Sequence, residues 1–341
     1  MQSDDGLAAR LRLELTWFSG LAWLRGRTVR GDGVILRFER VRPRRRGRFQ
    51  PHQFREITPE FLDRALTSLK RWKFDIVSID EACQRAVTLA RPGRFVSLTF
   101  DGGYKDLITS AYPILRKHRV PFTVYIPTAF PDGLGEPWWL GLEAVIAREN
   151  RVSLMMDQKE FRYSIDKIAD KYQLYRFLDG WLRRLPAPDL SVAIKDLCRR
   201  YSVDLAALTR EAFMDWQDLA RLAADPLVTI GTATVNYPIL AHLRDEAASR
   251  EIKMGRAVAE TALRRDVRHF AFPFGDRGSF NRQHAAMVAE AGLTSAVTAL
   301  PGLVEAEGRS NLHALPRLSW DGRIGSLRAM RALLTAPAPL R

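Results

Sequence analysis

Two short segments carry residue types from which a catalytic site could be built. In Val96-Ser97-Leu98-Thr99-Phe100-Asp101-Gly102-Gly103-Tyr104-Lys105-Asp106, an apolar run delivers an aspartate into a Gly-Gly turn. A carboxylate there can act as a general base, and the glycines let backbone approach a ligand closely. The same spacing suits a tight turn in which Asp101 caps a helix, and spacing alone does not separate the two readings. In Phe270-Ala271-Phe272-Pro273-Phe274-Gly275-Asp276-Arg277, a second apolar run enters a Pro-Gly turn, where the Phe274 N–H could donate to a developing oxyanion. Of the six histidines, His52, His118, His242 and His284 read as surface residues and His269 as a core residue inside a strand. His313, just before the last apolar run, is a candidate for facing the site. The two cysteines, Cys83 and Cys198, lie far apart in sequence. That excludes a disulfide scaffold, a structural zinc module and a thiolate-held iron–sulfur centre.

The elements that must position these residues are apolar runs separated by helical stretches. The runs are Val34–Phe38, Ile76–Ile79, Phe95–Phe100, Pro121–Ile126, Leu227–Ile230, His269–Phe272, Thr294–Thr298 and Leu315–Ser319. Between the first two, Thr58 and Pro59 start a helix whose Leu62, Leu66 and Leu69 fall on one face. Ala248, Ile252, Gly255, Ala259 and Ala262 mark a second helix. Strands alternating with helices predict an α/β fold, an irregular (β/α) barrel of seven or eight parallel strands. In such a barrel the site lies past the C-terminal strand ends. Residues 141–214 interrupt this rhythm and read as a helical insertion lying against the barrel without a core of its own. Ile165, Ile168, Tyr172, Tyr175, Leu178 and Leu182 mark one helical face of it, and Pro186-Ala187-Pro188 a break. The expected organisation is a helical segment over 1–32, the barrel over 33–140 and 215–330, the insertion, and a tail over 331–341.

The 341 residues are 46% hydrophobic and 27% charged, which excludes wholesale disorder. No apolar run reaches the roughly 18 residues of a membrane span, and Met1-Gln2-Ser3-Asp4-Asp5 lacks the basic start of a secretory signal. The expectation is a cytoplasmic protein. Residues 6–24, with Trp and Phe among Leu and Arg, either dock on their own domain or touch the inner membrane peripherally. The net charge of +14 suggests nucleic acid, but only nine of the 53 basic residues are lysine. The scattered arginines fit coding bias, so nucleic acid is not the expected partner. The exception is Arg42-Pro43-Arg44-Arg45-Arg46-Gly47-Arg48, a loop that is either simply solvated or a polyanion contact.

Taken in order, these segments resemble the polysaccharide deacetylase family, whose domain is also called the NodB homology domain and is similar to carbohydrate esterase family 4. The resemblance spans roughly residues 33–325. It rests on Thr99-Phe100-Asp101-Gly102-Gly103-Tyr104, Ala111-Tyr112-Pro113-Ile114-Leu115 and Val120-Pro121-Phe122-Thr123-Val124-Tyr125. Pro137-Trp138-Trp139, Leu227-Val228-Thr229-Ile230-Gly231, Phe270–Gly275 and Leu315-Pro316-Arg317-Leu318-Ser319 complete it. It implies removal of acetyl groups from acetylated oligo- or polysaccharides, a hydrolysis of C–N amide bonds assisted by zinc or another divalent metal. By this resemblance Asp101 is the general base and the Phe274 N–H the oxyanion donor.

The chain departs from the family where the metal should bind. The family's Thr-Phe-Asp-Asp-Gly has Gly102 at its second aspartate, and its His-Thr-x-x-His-Pro reads Ala233-Thr234-Val235-Asn236-Tyr237-Pro238. Gly102, Ala233 and Tyr237 thus replace all three ligands: two offer no ligand atom and a neutral phenol is a poor one. No metal cofactor is expected, and an ordinary aspartate is a weak base for unassisted water. Tyr237 either donates its hydroxyl to a substrate or fills the space of the metal. Glu39 either pairs with Asp101 across the barrel mouth or forms an ion pair with Arg40 or a loop arginine. Trp138, Trp139 and Trp320 either stack on sugar rings or fill the core. Three functions compete: a degenerate deacetylase that binds glycan or serves carbohydrate metabolism as an accessory protein, a metal-independent amide hydrolase using Asp101 with Tyr237, Glu39 or His313, and a polyanion binder acting through Arg42–Arg48. The oligomeric state is not legible in the sequence.

Overall fold

A computed structural model of the protein describes residues 33–88, 94–156, 159–320, 322–323 and 325–335. The expected segment over 1–32, with its 6–24 stretch, and the tail beyond 335 lie outside the described residues. The strands, in chain order, are β1 (Gly33–Phe38), β2 (Arg40–Val41), β3 (Glu56–Ile57), β4 (Asp75–Val77), β5 (Phe95–Asp101), β6 (Phe122–Ile126), β7 (Arg151–Met156), β8 (Lys159–Ser164), β9 (Val228–Thr232), β10 (His269–Ala271), β11 (Ser295–Val297) and β12 (Leu318–Ser319).

Eight of them form one parallel sheet in the order β11-β10-β9-β6-β5-β1-β12, with β4 also paired to β5. Leu315, just ahead of β12, bridges Val297 of β11, and β12 pairs with β1, so the sheet curls back on itself as the predicted barrel. β5 and β6 are buried along their whole length, which is why each appears in sequence as a nearly continuous apolar run. The barrel interior is packed with Ile35, Phe95, Tyr125, Ala233, Ala271, Val297 and Leu315. A larger apolar layer, including Leu62, Leu66, Leu69, Val124 and Ile230, lies between the strands and the outer helices. The helix Pro59–Arg71 starts as the sequence predicts, with Thr58 Oγ1 accepting the Phe61 N–H at 3.1 Å. Among the described residues no helix is long and apolar enough to cross a membrane.

The insertion is not wholly helical. Residues 151–164 form the antiparallel hairpin β7–β8, from Arg151 opposite Ser164 to Met156 opposite Lys159. In β7 only Val152, Leu154 and Met156 turn inward, and β8 is almost entirely exposed. A short alternating pattern with Lys, Glu and Arg on the open face gives little apolar signal in sequence. Around the hairpin, Leu174, Tyr175, Leu178, Ile194 and Leu197 pack in one cluster with Phe49, Tyr104, Phe130 and Phe274, so the insertion shares its core with the barrel mouth. Two histidines expected at the surface are buried. His52 Nε2 lies 2.7 Å from the Tyr175 hydroxyl, and His284 caps its own helix by accepting the Asn281 N–H at 3.0 Å. His269 is a core residue as expected, between Ser295 Oγ and Asp80.

Gly255 allows the helix Asp245–Leu263 to lie directly on the segment after β9, because a Cβ there would come within 2.7 Å of the Thr234 carbonyl carbon. Gly255→Ala is therefore expected to destabilise the protein by about 1–2 kcal/mol through overpacking, despite the better helix former. Gly180, in the helix Ile168–Leu182, would meet only the Arg184 guanidinium at 3.8 Å. Gly180→Ala should stabilise by up to about 1 kcal/mol. Urea denaturation midpoints of the two variants check the opposite signs.

Candidate functional site

Asp101 ends β5 at the C-terminal mouth of the barrel, 4% exposed. Arg37 of β1 stands opposite Thr99, and Asp101 lies two residues further along, so both side chains project to one sheet face. Arg37 Nε donates to Asp101 Oδ2 at 2.5 Å. The fully buried Arg317 closes the other side: Nη1 donates to Asp101 Oδ1 at 2.7 Å and Nη2 to Oδ2 at 2.8 Å. Its Nε donates to the Thr298 carbonyl at 2.6 Å, which fixes the guanidinium plane. Glu39 then meets Arg37 Nη2 at 2.7 Å and Arg55 Nη1 at 3.4 Å. The mouth is thus a chain of alternating charge, Arg317–Asp101–Arg37–Glu39–Arg55.

Burial alone would push the Asp101 carboxyl up, but Arg317 and Arg37 outweigh it and hold the group below the usual carboxylate range. Burial pulls the Arg37 guanidinium down, and Glu39 and Asp101 more than reverse this. Glu39 adopts the ion-pair arrangement, with Arg37 and Arg55 as partners; Arg40 pairs with Asp106 at 2.6 Å instead. Glu39 is separated from Asp101 by the Arg37 guanidinium, so the two carboxylates do not form an acid–base pair.

The residues at the family's metal positions do not fit a divalent ion. Gly102 turns the chain with φ +94°, and a Cβ there would come within 2.9 Å of the Tyr104 ring. Ala233 is buried in the interior cluster, with Tyr237 packed against it. Tyr237 holds φ +58°, and its N–H donates to Thr234 Oγ1 at 3.1 Å. Its ring lies 5.0 Å from that of Phe274 and 5.8 Å from that of Trp139. Its hydroxyl oxygen accepts the Phe274 N–H at 3.3 Å, the amide an oxyanion would need. Burial and the Asp101 charge both raise the Tyr237 phenol, so it is neutral at physiological pH and a poor ligand. Among the described residues, no group of three His, Cys, Asp or Glu side chains could hold a metal ion.

Asp101, Gly102, Tyr237, Glu39 and Trp139 are brought together around a cavity of only about 10 Å³, room for about one water molecule. On the far side of Tyr237, Trp138 and Phe274 line an open groove of about 260 Å³. Trp138 and Trp139 are both buried, and Trp139 Nε1 donates to the Tyr104 hydroxyl at 3.1 Å. Trp320 stacks on Phe61, ring centroids 5.3 Å apart, and belongs to a different groove. His313 does not face the site. Its Nε2 sits 2.9 Å from the Leu293 carbonyl, ahead of β11 and so at the opposite end of the barrel from Asp101. Sequence reasoning missed Arg37, Arg55 and Arg317 as site residues. For Arg37 and Arg317 the available signal was an arginine inside an apolar strand run, since such a charge is rarely buried unless paired; Arg55, in a short turn, gave none.

Replacing Asp101 by Asn leaves the buried Arg317 without a counter-charge, and Asp101→Asn should destabilise the protein by about 3–5 kcal/mol. The Asp101 carboxyl is depressed in the folded state, so its contribution is complete above its unfolded pKa of about 4 and is lost as pH falls through the lower folded value. The stability gap between wild type and Asp101→Asn, from denaturation at pH 7 and in acid, should therefore shrink only below about pH 4.

The sequence profile described as polysaccharide deacetylase matches residues 89–138 and 177–296. A sequence comparison with curated proteins finds no match. Among solved structures, the chain is similar to the Streptococcus pyogenes deacetylase PplD in complex with acetate: TM-score 0.59, 14% identity, covering 90% of this chain and 99% of that one. IcaB from Ammonifex degensii aligns with TM-score 0.57 at 16% identity, covering 89% and 97%. A de-N-acetylase from Aggregatibacter actinomycetemcomitans aligns with TM-score 0.54 at 14% identity, covering 88% and 99%. At these identities the structural likeness speaks for the fold, and the profile match for the family. The barrel, its strand-end aspartate and its Pro-Gly turn thus have a common explanation: the chain belongs to the polysaccharide deacetylase family.

Proposed function

We propose that this chain is a non-hydrolytic member of its family, a glycan-binding or accessory protein of carbohydrate metabolism. The observation that carries this reading is the Asp101 carboxylate held between Arg317 and Arg37. A general base needs a lone pair aimed at water and a pKa near the working pH. Asp101 has both oxygens engaged by guanidinium groups and a pKa pushed the other way. Free water, with a pKa of about 15.7, would have to be deprotonated without a metal. The Phe274 amide is bonded to Tyr237, so a developing oxyanion would have to displace a phenol to reach it. These features weigh equally against metal-independent amide hydrolysis: Glu39 is paired with arginines and His313 lies at the other end of the barrel. The carbohydrate class of the ligand rests on family membership and on the deacetylases whose fold the chain shares.

Acetate release from N-acetylated chito-oligosaccharides, with and without added zinc, checks this directly. Wild type should release acetate no faster than Asp101→Asn. Tyr237→Ala, which frees the Phe274 amide, should remain equally silent because nothing then activates water. Acetate release by wild type that Asp101→Asn abolishes would refute the reading.

A further inference from the structure

A much larger concavity than the one at Asp101 lies elsewhere. It is a groove of about 660 Å³ at the outer rim of the mouth, between the 42–58 excursion, the helix Ile168–Leu182 and the segment after β12. Arg44, Arg48, Arg64 and Arg176 line it, from three separate parts of the chain, and all four are exposed. Among the described residues none of these four has a carboxylate partner, whereas their neighbours Arg42 and Arg45 are consumed by Glu56 and Glu143. Glu56, the acidic side chain on the groove wall, is thereby neutralised.

The arginine-rich loop is held in place. The Tyr172 hydroxyl accepts the Gln50 N–H at 2.8 Å and donates to the Arg48 carbonyl at 3.0 Å, and Gln50 Nε2 donates to the Arg45 carbonyl at 3.0 Å. The first turns of two helices, Pro59–Arg71 and Ile168–Leu182, also open onto the groove, adding the positive ends of their dipoles. Four cations lining one groove without carboxylate partners among the described residues repel each other, and the repulsion is relieved by a ligand that brings negative charge. One further group marks the wall: among the described residues the indole Nε1 of the buried Trp320 has no hydrogen-bond partner, while the Phe54 ring, 38% exposed, already carries the Arg55 and Arg323 guanidinium groups at 5.2 and 5.8 Å.

We propose that this groove binds an oligosaccharide bearing carboxylate or phosphate groups, with Arg44, Arg48, Arg64 and Arg176 pairing its oxyanions. Guanidinium suits both oxyanions because its paired N–H donors match their geometry. The volume is that of a small-ligand site of roughly 300–1,000 Å³. Single-stranded nucleic acid calls for a succession of stacking rings along an extended track, and the groove offers a single exposed one. The saccharide part of the proposal rests on the carbohydrate reading above; the charge part rests on the arginines alone.

Calorimetric titration of the full chain tests it with a galacturonate trisaccharide, a phosphorylated disaccharide, neutral N-acetylated chitotriose and a short oligothymidylate. At least one acidic saccharide should bind about tenfold or more tightly than chitotriose, weaken as salt rises, and lose that advantage in Arg64→Gln/Arg176→Gln and in Arg44→Gln/Arg48→Gln. Whichever acidic probe binds more tightly identifies the oxyanion. All four arginines are exposed, so both double variants should keep the wild-type circular dichroism and melting curve. Equal affinity for acidic and neutral saccharides, or acidic binding indifferent to both double variants, overturns the proposal while leaving a neutral glycan reading intact. Binding of oligothymidylate more tightly than either acidic saccharide, lost in the same variants, overturns the saccharide assignment in favour of nucleic acid. Absence of binding to any saccharide sinks both readings.

Discussion

A buried carboxylate must find counter-charge or give up its own, and at the barrel mouth Asp101 finds two guanidinium groups within hydrogen-bonding distance. Arg317 reaches it from the residue just ahead of β12 and Arg37 from β1, so the ion cluster ties the approach to β12 to β1 and β5. Glu39 and Arg55 extend the alternation outward to the loop that covers the mouth. The arrangement is self-consistent only if each charge stays ionised. On the reading proposed above, that requirement keeps Asp101 out of the proton-transfer chemistry its position invites.

The neighbouring aromatic residues complete the closure by a different physical route. Tyr237 packs among Phe274, Trp139 and Phe130, and its hydroxyl satisfies the Phe274 amide. Tyr237 is thus held by ring packing, with its hydroxyl engaged by the Phe274 amide. The charge cluster and the aromatic plug meet at a cavity that holds about one water molecule. Open volume lies to either side, a groove of mixed polar and apolar lining beyond Tyr237 and the arginine-walled groove beyond Phe54. The excess positive charge becomes informative where Arg44, Arg48, Arg64 and Arg176, without carboxylate partners among the described residues, line one groove.

Much of the barrel was legible because parallel strands buried on both faces must be apolar throughout, as β5 and β6 are. The hairpin β7–β8 was not legible, because only alternate residues of one short strand are buried and its partner faces solvent. His52 and His284 misled for a related reason. A polar side chain in a loop or at a helix start reads as exposed until a partner is known, and here the partners are Tyr175 and the Asn281 amide. His313 lies close in sequence to the closing strand, yet its ring is turned to the strand N-termini, a direction set by the backbone path.

From its residues alone, the chain determined the alternation that makes a barrel, the aspartate at a strand end, and the want of a side-chain ligand atom at Gly102 and Ala233. These are properties of residue type and local spacing, and no neighbour can change them. Only the tertiary structure decided what became of Asp101. Many arginines were available, and pairing across strands selected Arg37 and Arg317, residues 64 and 216 positions away in sequence. Coulombic energy falls off with distance in space, and distance along the chain says nothing of which charges will meet.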